Sequence, residues 1–208
     1  MATSSKIALN CRRCGAALQT EVYTSVNAAE DPELRSRVRD GSLFVWQCPH
    51  CGTANLIRSP FMYHDPDARL MIWLSGGDEA SAERASLLFS EEEALQGYTA
   101  RLVDNVGDLI EKVKIFDAGL DDMVMEICKY VTRLEIGADA TGMKFLSVSG
   151  ADHEITLAYP KDGDMEMVAV GFNVYEDAAG ILRRNPSLRD NEKGLVRIDE
   201  AWVEKFFR

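Results

Sequence analysis

The 208-residue chain is 46% hydrophobic and 27% charged, a globular composition long enough for one large domain or two small ones. No run of about 18 apolar residues occurs and no apolar segment follows Met1–Lys6, which argues against a membrane span or signal peptide and predicts a cytoplasmic protein. The net charge of −11 is uneven, with 8 Lys/Arg against 7 Asp/Glu in residues 1–75 and 15 against 27 in residues 76–208, so the second part repels phosphate backbones and anionic lipid.

Ile7-Ala8-Leu9 leads into the hook Cys11-Arg12-Arg13-Cys14-Gly15, and Ala17 to Tyr23 leaves it with the alternation of a half-buried strand. Asp31-Pro32-Glu33-Leu34 opens a short helix, with Asp31 as N-cap, Pro32 at the first helical position and Gly41 as its stop. Ser42–Gln47 runs as a strand into a second hook, Cys48-Pro49-His50-Cys51-Gly52, and Thr53 to Ile57 leaves as another. Phe61 to Tyr63, a turn at Asp65-Pro66-Asp67 and Arg69 to Leu74 make a further hairpin.

Each hook can aim two thiolates at one metal ion, and the glycine after its second cysteine permits the turn that points backbone N–H groups at the sulfurs. In a reducing compartment such pairs hold metal or do redox chemistry rather than form structural disulfides. Cys11, Cys14, Cys48 and Cys51 are therefore the expected ligands of one structural Zn2+. Four thiolates close the shell and leave no open position for catalysis. The 33 residues between Cys14 and Cys48 exceed the roughly 12 to 20 of common zinc modules. His50, inside the second hook, reads as a solvent-facing residue, with ligation or a hydrogen bond near the sulfurs as the alternative.

The paired hooks, the intervening Asp-Pro-Glu-Leu helix, Asp40-Gly41-Ser42-Leu43-Phe44, and Met62–Asp65 through Leu70-Met71-Ile72 resemble the CpXC domain, a bacterial and archaeal family named for two Cys-Pro-x-Cys motifs. The resemblance covers about residues 7–75, and Leu102 through Leu134, with Phe116–Asp122, is similar to the continuation in such proteins. It implies the same four cysteines as the motif positions, and it implies no assigned activity. Pro49 matches the motif; Arg12 stands where its other proline is expected, which affects the loop's rigidity but no metal-binding atom.

Ser75-Gly76-Gly77-Asp78 breaks the composition. Asp78 to Gln96 is a polar connector holding Glu91-Glu92-Glu93, and Ser90 with Glu93 has the capping-box pattern. Tyr98 to Val103 reads as a strand. Asn105 caps a helix with Val106, Leu109, Ile110, Val113 and Phe116 at helical spacing, stopped by Gly119, and Asp121 caps the next, with Val124, Ile127, Cys128, Val131 and Leu134 on one stripe. Lys144–Val148, Glu154–Tyr159 and Met165–Val174 alternate as an antiparallel meander, with turns at Gly150-Ala151-Asp152 and Pro160–Asp164. Ala178–Arg183 is a short helix, Leu195–Ile198 a last strand, and Asp199 caps a final helix with Trp202, Val203, Phe206 and Phe207.

The expected fold is α+β: a zinc-ribbon-like β module with an inserted helix over residues 1–76, an acidic connector over 77–97, and over 98–208 an acidic domain with an antiparallel sheet and helices on one face. Other signals have bland readings beside functional ones. Cys128, with His64 and His153 elsewhere, suggests a nucleophile, but its stripe makes it a small hydrophobe. Asp121, Asp122 and Glu126 can share a proton or a metal, or be exposed carboxylates favoured by the helix dipole; His153 and Glu154 at a strand start are weaker still. Arg12, Arg13, Arg35, Arg37 and Arg39 with Trp46 and Trp73 suggest a nucleic-acid surface, or simply offset the −2 of a zinc–tetrathiolate centre. The leading expectation is a non-enzymatic recognition or adaptor protein with a protein partner. The alternatives are an enzyme with a carboxylate-based site in the C-terminal domain, and nucleic-acid binding through the ribbon.

Overall fold

The computed structural model describes residues 2–89, 97–137, 140–150, 153–189 and 194–207. Within them the chain is a mixed α and β fold in two compact units, one built on residues up to Ile110 and the other on Glu111–Glu192 with Val196–Arg208. No helix among the described residues is long and apolar enough to cross a membrane.

The first unit opens with β1 (Thr3–Asn10) and β2 (Ala17–Asn27), an antiparallel ribbon with the first hook at its tip. The far end of β2 lies parallel to β5 (Phe61–Asp65), which pairs antiparallel with β6 (Leu70–Leu74), and β6 lies parallel to β7 (Thr99–Val103). The five-stranded order is β1-β2-β5-β6-β7. Strands β5 and β6 each bury every second residue outright, with Phe61, Tyr63 and Ile72 wholly inside. Tyr98–Val103, read from the sequence as the start of the acidic domain, thus supplies the last strand of this sheet.

Between β2 and β5 lie α1 (Pro32–Arg39) and the second hook, held between β3 (Val45–Gln47) and β4 (Ala54–Leu56). Gly41 ends α1 at φ 81, as its placement predicts. Asp31 stands at the N-cap but makes no side-chain capping bond. The expected strand from Ser42 is a 3₁₀ turn at Ser42–Phe44 before β3 begins; it seats Phe44 edge-on against Phe61 at 5.1 Å. After β6, Asp78 caps α2 (Glu79–Leu88), accepting from the Ala80 N–H. The expected capping box at Ser90 and Glu93, Glu91-Glu92-Glu93, and Ala151-Asp152 lie outside the described residues.

The division between units falls inside α3 (Val106–Asp117), whose first turn is capped by Asn105 and whose end is set by Gly119 at φ 70. Asp121 caps α4 (Asp122–Ile136) through the Met123 and Val124 N–H groups. The meander forms as β8 (Lys144–Val148), β9 (Glu154–Lys161) and β10 (Asp164–Gly171), all antiparallel. Phe145, Ile155 and Leu157 pack in one core with Met123, Ile127 and Cys128 of α4, Ala178 and Leu182 of α5 (Phe172–Arg184), and Trp202 and Val203 of α6 (Glu200–Phe207). Arg133 on α4 pairs with Glu200 and Glu204 of α6.

Three expectations change here. The third strand stops at Gly171 and the helix expected from Ala178 begins at Phe172, because Phe172, Tyr175, Ala179 and Leu182 recur at helical spacing. Leu195–Ile198 forms no strand, only an isolated bridge at Val196. Leu134, placed on the buried stripe of α4, is exposed, because the core-facing surface of that helix ends near Thr132.

Candidate metal centre

The two hooks are built alike. In each, the first cysteine's N–H donates to the carbonyl five residues on, Cys11 to Ala16 and Cys48 to Thr53, both at 3.0 Å, and the glycine N–H turns back to the first cysteine's carbonyl. Gly15 and Gly52 take φ 72 and 68, the left-handed turn that residues with a Cβ adopt at a cost. Cys11 and Cys48 are buried beside Val22, Trp46 and Ile57, with Ile7, Leu9 and Leu18 around them. A small apolar core therefore backs the hooks, and Trp46 is part of it rather than an exposed stacking face.

The four sulfurs of Cys11, Cys14, Cys48 and Cys51 all lie within 4.8 Å of one another and can hold a metal ion. Two pairs cross between hooks, Cys11 to Cys51 and Cys14 to Cys48, each at 3.6 Å. A disulfide places its sulfurs about 2.0 Å apart, whereas a tetrahedral ion with metal–sulfur bonds of about 2.3 Å places them about 3.8 Å apart. The observed spacing fits the second geometry, and all four cysteines are free thiols. His50 is exposed and stands outside the group.

The thiols contend for charge. The Cys14 amide, with that of Arg13, holds the Cys11 thiol down to about 6 against desolvation. The Ala16 amide lowers Cys14, but desolvation and the three neighbouring sulfurs outweigh it and push that thiol up to about 11. Thr53, whose hydroxyl oxygen lies 3.3 Å from the Cys51 sulfur, lowers Cys51. Four adjacent thiolates repel one another; a divalent cation among them removes that conflict.

Asn55, which sequence reasoning placed only within a strand, is buried against the site. Its Oδ1 accepts from the Arg12 N–H at 2.9 Å, and its Nδ2 donates to the Thr53 carbonyl at 2.8 Å and lies 3.7 Å from the Cys11 sulfur. One side chain thus joins both hooks. Of the arginines weighed as a nucleic-acid surface, Arg12 and Arg13 at the first hook are exposed, while Arg35 on α1 pairs at 3.5 Å with the buried Asp65.

The carboxylates of α4 do not form the exposed group expected of a helix start. Asp122 and Glu126 are buried, and each binds Lys112 of α3, at 2.9 and 3.4 Å. Lys129 bridges Glu126 at 2.9 Å and Glu111 at 2.8 Å, while Glu111 also takes Lys144 at 3.1 Å and the Phe145 N–H at 2.7 Å. Three carboxylates and three ammonium groups thus balance inside the second unit. The sequence reading paired Asp122 with Glu126 but left out Lys129, which shares their face of α4 three residues after Glu126. Asp121 is apart from this network, capping α4 and pairing with Arg189.

Neither histidine joins those carboxylates. His64 meets the Tyr98 hydroxyl at 3.2 Å in the first unit, and His153 lies in a recess with Gly171, Phe172, Asn173 and Glu176. Cys128 is wholly buried in the apolar core, and burial pushes its thiol up to about 11. In chelator-treated protein, whose second unit stays folded, thiol reagents are expected to titrate the four hook cysteines and to reach Cys128 only after denaturation, as a colorimetric thiol count with and without denaturant will show. A fifth thiol reacting at native rates overturns that reading.

Neither a search of curated proteins nor one of solved structures finds a match. Comparison with protein families matches residues 9–129, from the strand before the first hook to Lys129 of the buried ion network. That match spans both hooks and more than half of the chain, and on it the chain belongs to the CpXC protein family.

Proposed function

We propose that Cys11, Cys14, Cys48 and Cys51 bind one structural zinc ion that knits two hairpins into a zinc-ribbon-type module, and that the protein acts without catalysis, as a recognition or adaptor protein for another protein in the cytoplasm. The observation that carries the metal reading is the convergence of four cysteine sulfurs, two from each hairpin tip, at the spacing of a tetrahedral tetrathiolate. All-sulfur donors favour zinc over hard cations, and four of them leave no position for water or substrate. The adaptor reading draws support from the same closed shell, and from α4, where Asp122 and Glu126 are engaged by lysines rather than free for proton transfer.

Elemental analysis of protein purified without chelator is expected to give one zinc per chain. Protein that carries no metal and whose hook cysteines instead cycle between dithiol and disulfide overturns the proposal and makes the hooks a redox site.

A further inference from the structure

The two hooks differ at their second residue, and the difference has a matching change on the opposite hairpin. Pro49 has no N–H to satisfy, whereas Arg12 has one, and that N–H donates to Asn55 at 2.9 Å. The hook-to-strand segments Cys11–Leu18 and Cys48–Asn55 run in the same register, with identical backbone turns at Ala16 and Thr53. In that register Asn55 corresponds to Leu18. The chain therefore sets a buried amide where the opposite hook offers an N–H, and an apolar side chain, Leu18, at the equivalent position of the arm opposite the hook that holds proline.

Resting on the metal reading above, we infer that Asn55 is a positioning residue of the metal centre: it holds the Arg12 loop, which lacks proline's fixed φ, in the conformation that aims Cys11 at the ion. The Nδ2 group contributes from the other side, binding the Thr53 carbonyl of the second arm and facing the Cys11 sulfur. Arg12 and Asn55 act as one pair, so their substitutions are not independent.

The test is a two-by-two set in the full-length protein, Asn55→Leu, Arg12→Pro and both, probed with Co2+ as the metal. Competition titrations give affinity, and the sulfur-to-cobalt charge-transfer band reports the geometry of the thiolates. Asn55→Leu is expected to weaken Co2+ binding about 10- to 100-fold, the range seen for residues behind metal ligands, and to shift the band. Arg12→Pro alone weakens it because Asn55 loses its donor. The double variant, which puts leucine and proline at the positions equivalent to Leu18 and Pro49, is expected to return to within a few-fold of the parent.

Unchanged affinity and band in Asn55→Leu, or losses that simply multiply in the double variant, overturn the inference. A parent protein that binds no Co2+ overturns the metal reading instead. The Arg12–Asn55 pair is then judged by hydrogen exchange of the Arg12 amide, slow in the parent and fast in Asn55→Leu if the pair stands, equally fast in both if it does not.

Discussion

Replacing Cys48 with serine is expected to empty the metal centre and unfold the two-hairpin module while leaving the second unit folded. Cys48 is buried in a core whose other buried members are Cys11, Val22, Trp46 and Ile57. So small an apolar cluster cannot offset the conformational entropy of ordering two hairpins, which is why modules of this size depend on a staple. Structural zinc contributes roughly 10 to 16 kcal/mol in zinc-finger peptides, so losing one of four ligands removes more free energy than the cluster supplies. Elemental analysis with a two-dimensional amide spectrum will test this. The expected result is loss of metal with collapse of the signals of β1 to β4 and retention of those of β8 to β10. A serine variant that keeps its β1 to β4 signals without metal shows that the core suffices and the staple is dispensable.

The second large effect lies in the buried ion network. Glu111→Ala is expected to destabilise the second unit by about 3–5 kcal/mol, the usual consequence of stripping one partner from a buried ion pair. The alanine leaves Lys129 with Glu126, removes the Glu111 carboxylate from Lys144 and orphans the Phe145 N–H. Exchanging Glu111 and Lys129 together for leucine and methionine removes both charges and is expected to cost less than the alanine alone. Urea denaturation of the three proteins gives the comparison; a loss below about 1 kcal/mol in Glu111→Ala, the scale of an exposed pair, refutes the network's role.

This network also sets a pH dependence. Burial pushes Glu111 up, but Lys129, Lys144 and Lys112 outweigh it and hold the carboxyl at about 2, below its ordinary 4.5. A carboxyl lowered on folding stabilises the native state above its unfolded value, and that stabilisation drains away as pH falls from about 4.5 toward 2. Glu126 has the opposite sign, since burial raises its carboxyl despite Lys129 and Lys112, and its contribution declines as pH rises above the ordinary carboxylate range. The acid limb of the stability curve is therefore expected to flatten in Glu111→Gln.

Local chemistry was the legible part of the sequence. The hooks, the glycines that end α1 and α3, the caps at Asn105, Asp121 and Asp199, and the hairpin of β5 and β6 all follow from residues within a few positions of one another. The four sulfurs converge as their spacing suggested. What escaped depends on neighbours remote in sequence. Asp122 and Glu126 sit where helix starts carry exposed carboxylates, and only the arrival of Lys112 from α3 explains their burial. Asn55 looks like one residue of a short strand until Arg12 is placed against it. The parallel pairings of β2 with β5 and of β6 with β7 leave no turn signature at all.

The parallel contact of β2 with β5 bears on the order in which the chain folds. No hairpin can nucleate it, since Asn27 and Phe61 are joined only through α1 and the second hook, and closing so long a loop before any contact forms is entropically slow. On the metal reading proposed above, an ion joining Cys14 to Cys48 tethers the start of β2 to the segment leading into β5 before those strands pair. On that reading metal capture precedes completion of the sheet, and the ion serves as a folding nucleus as well as a lasting brace.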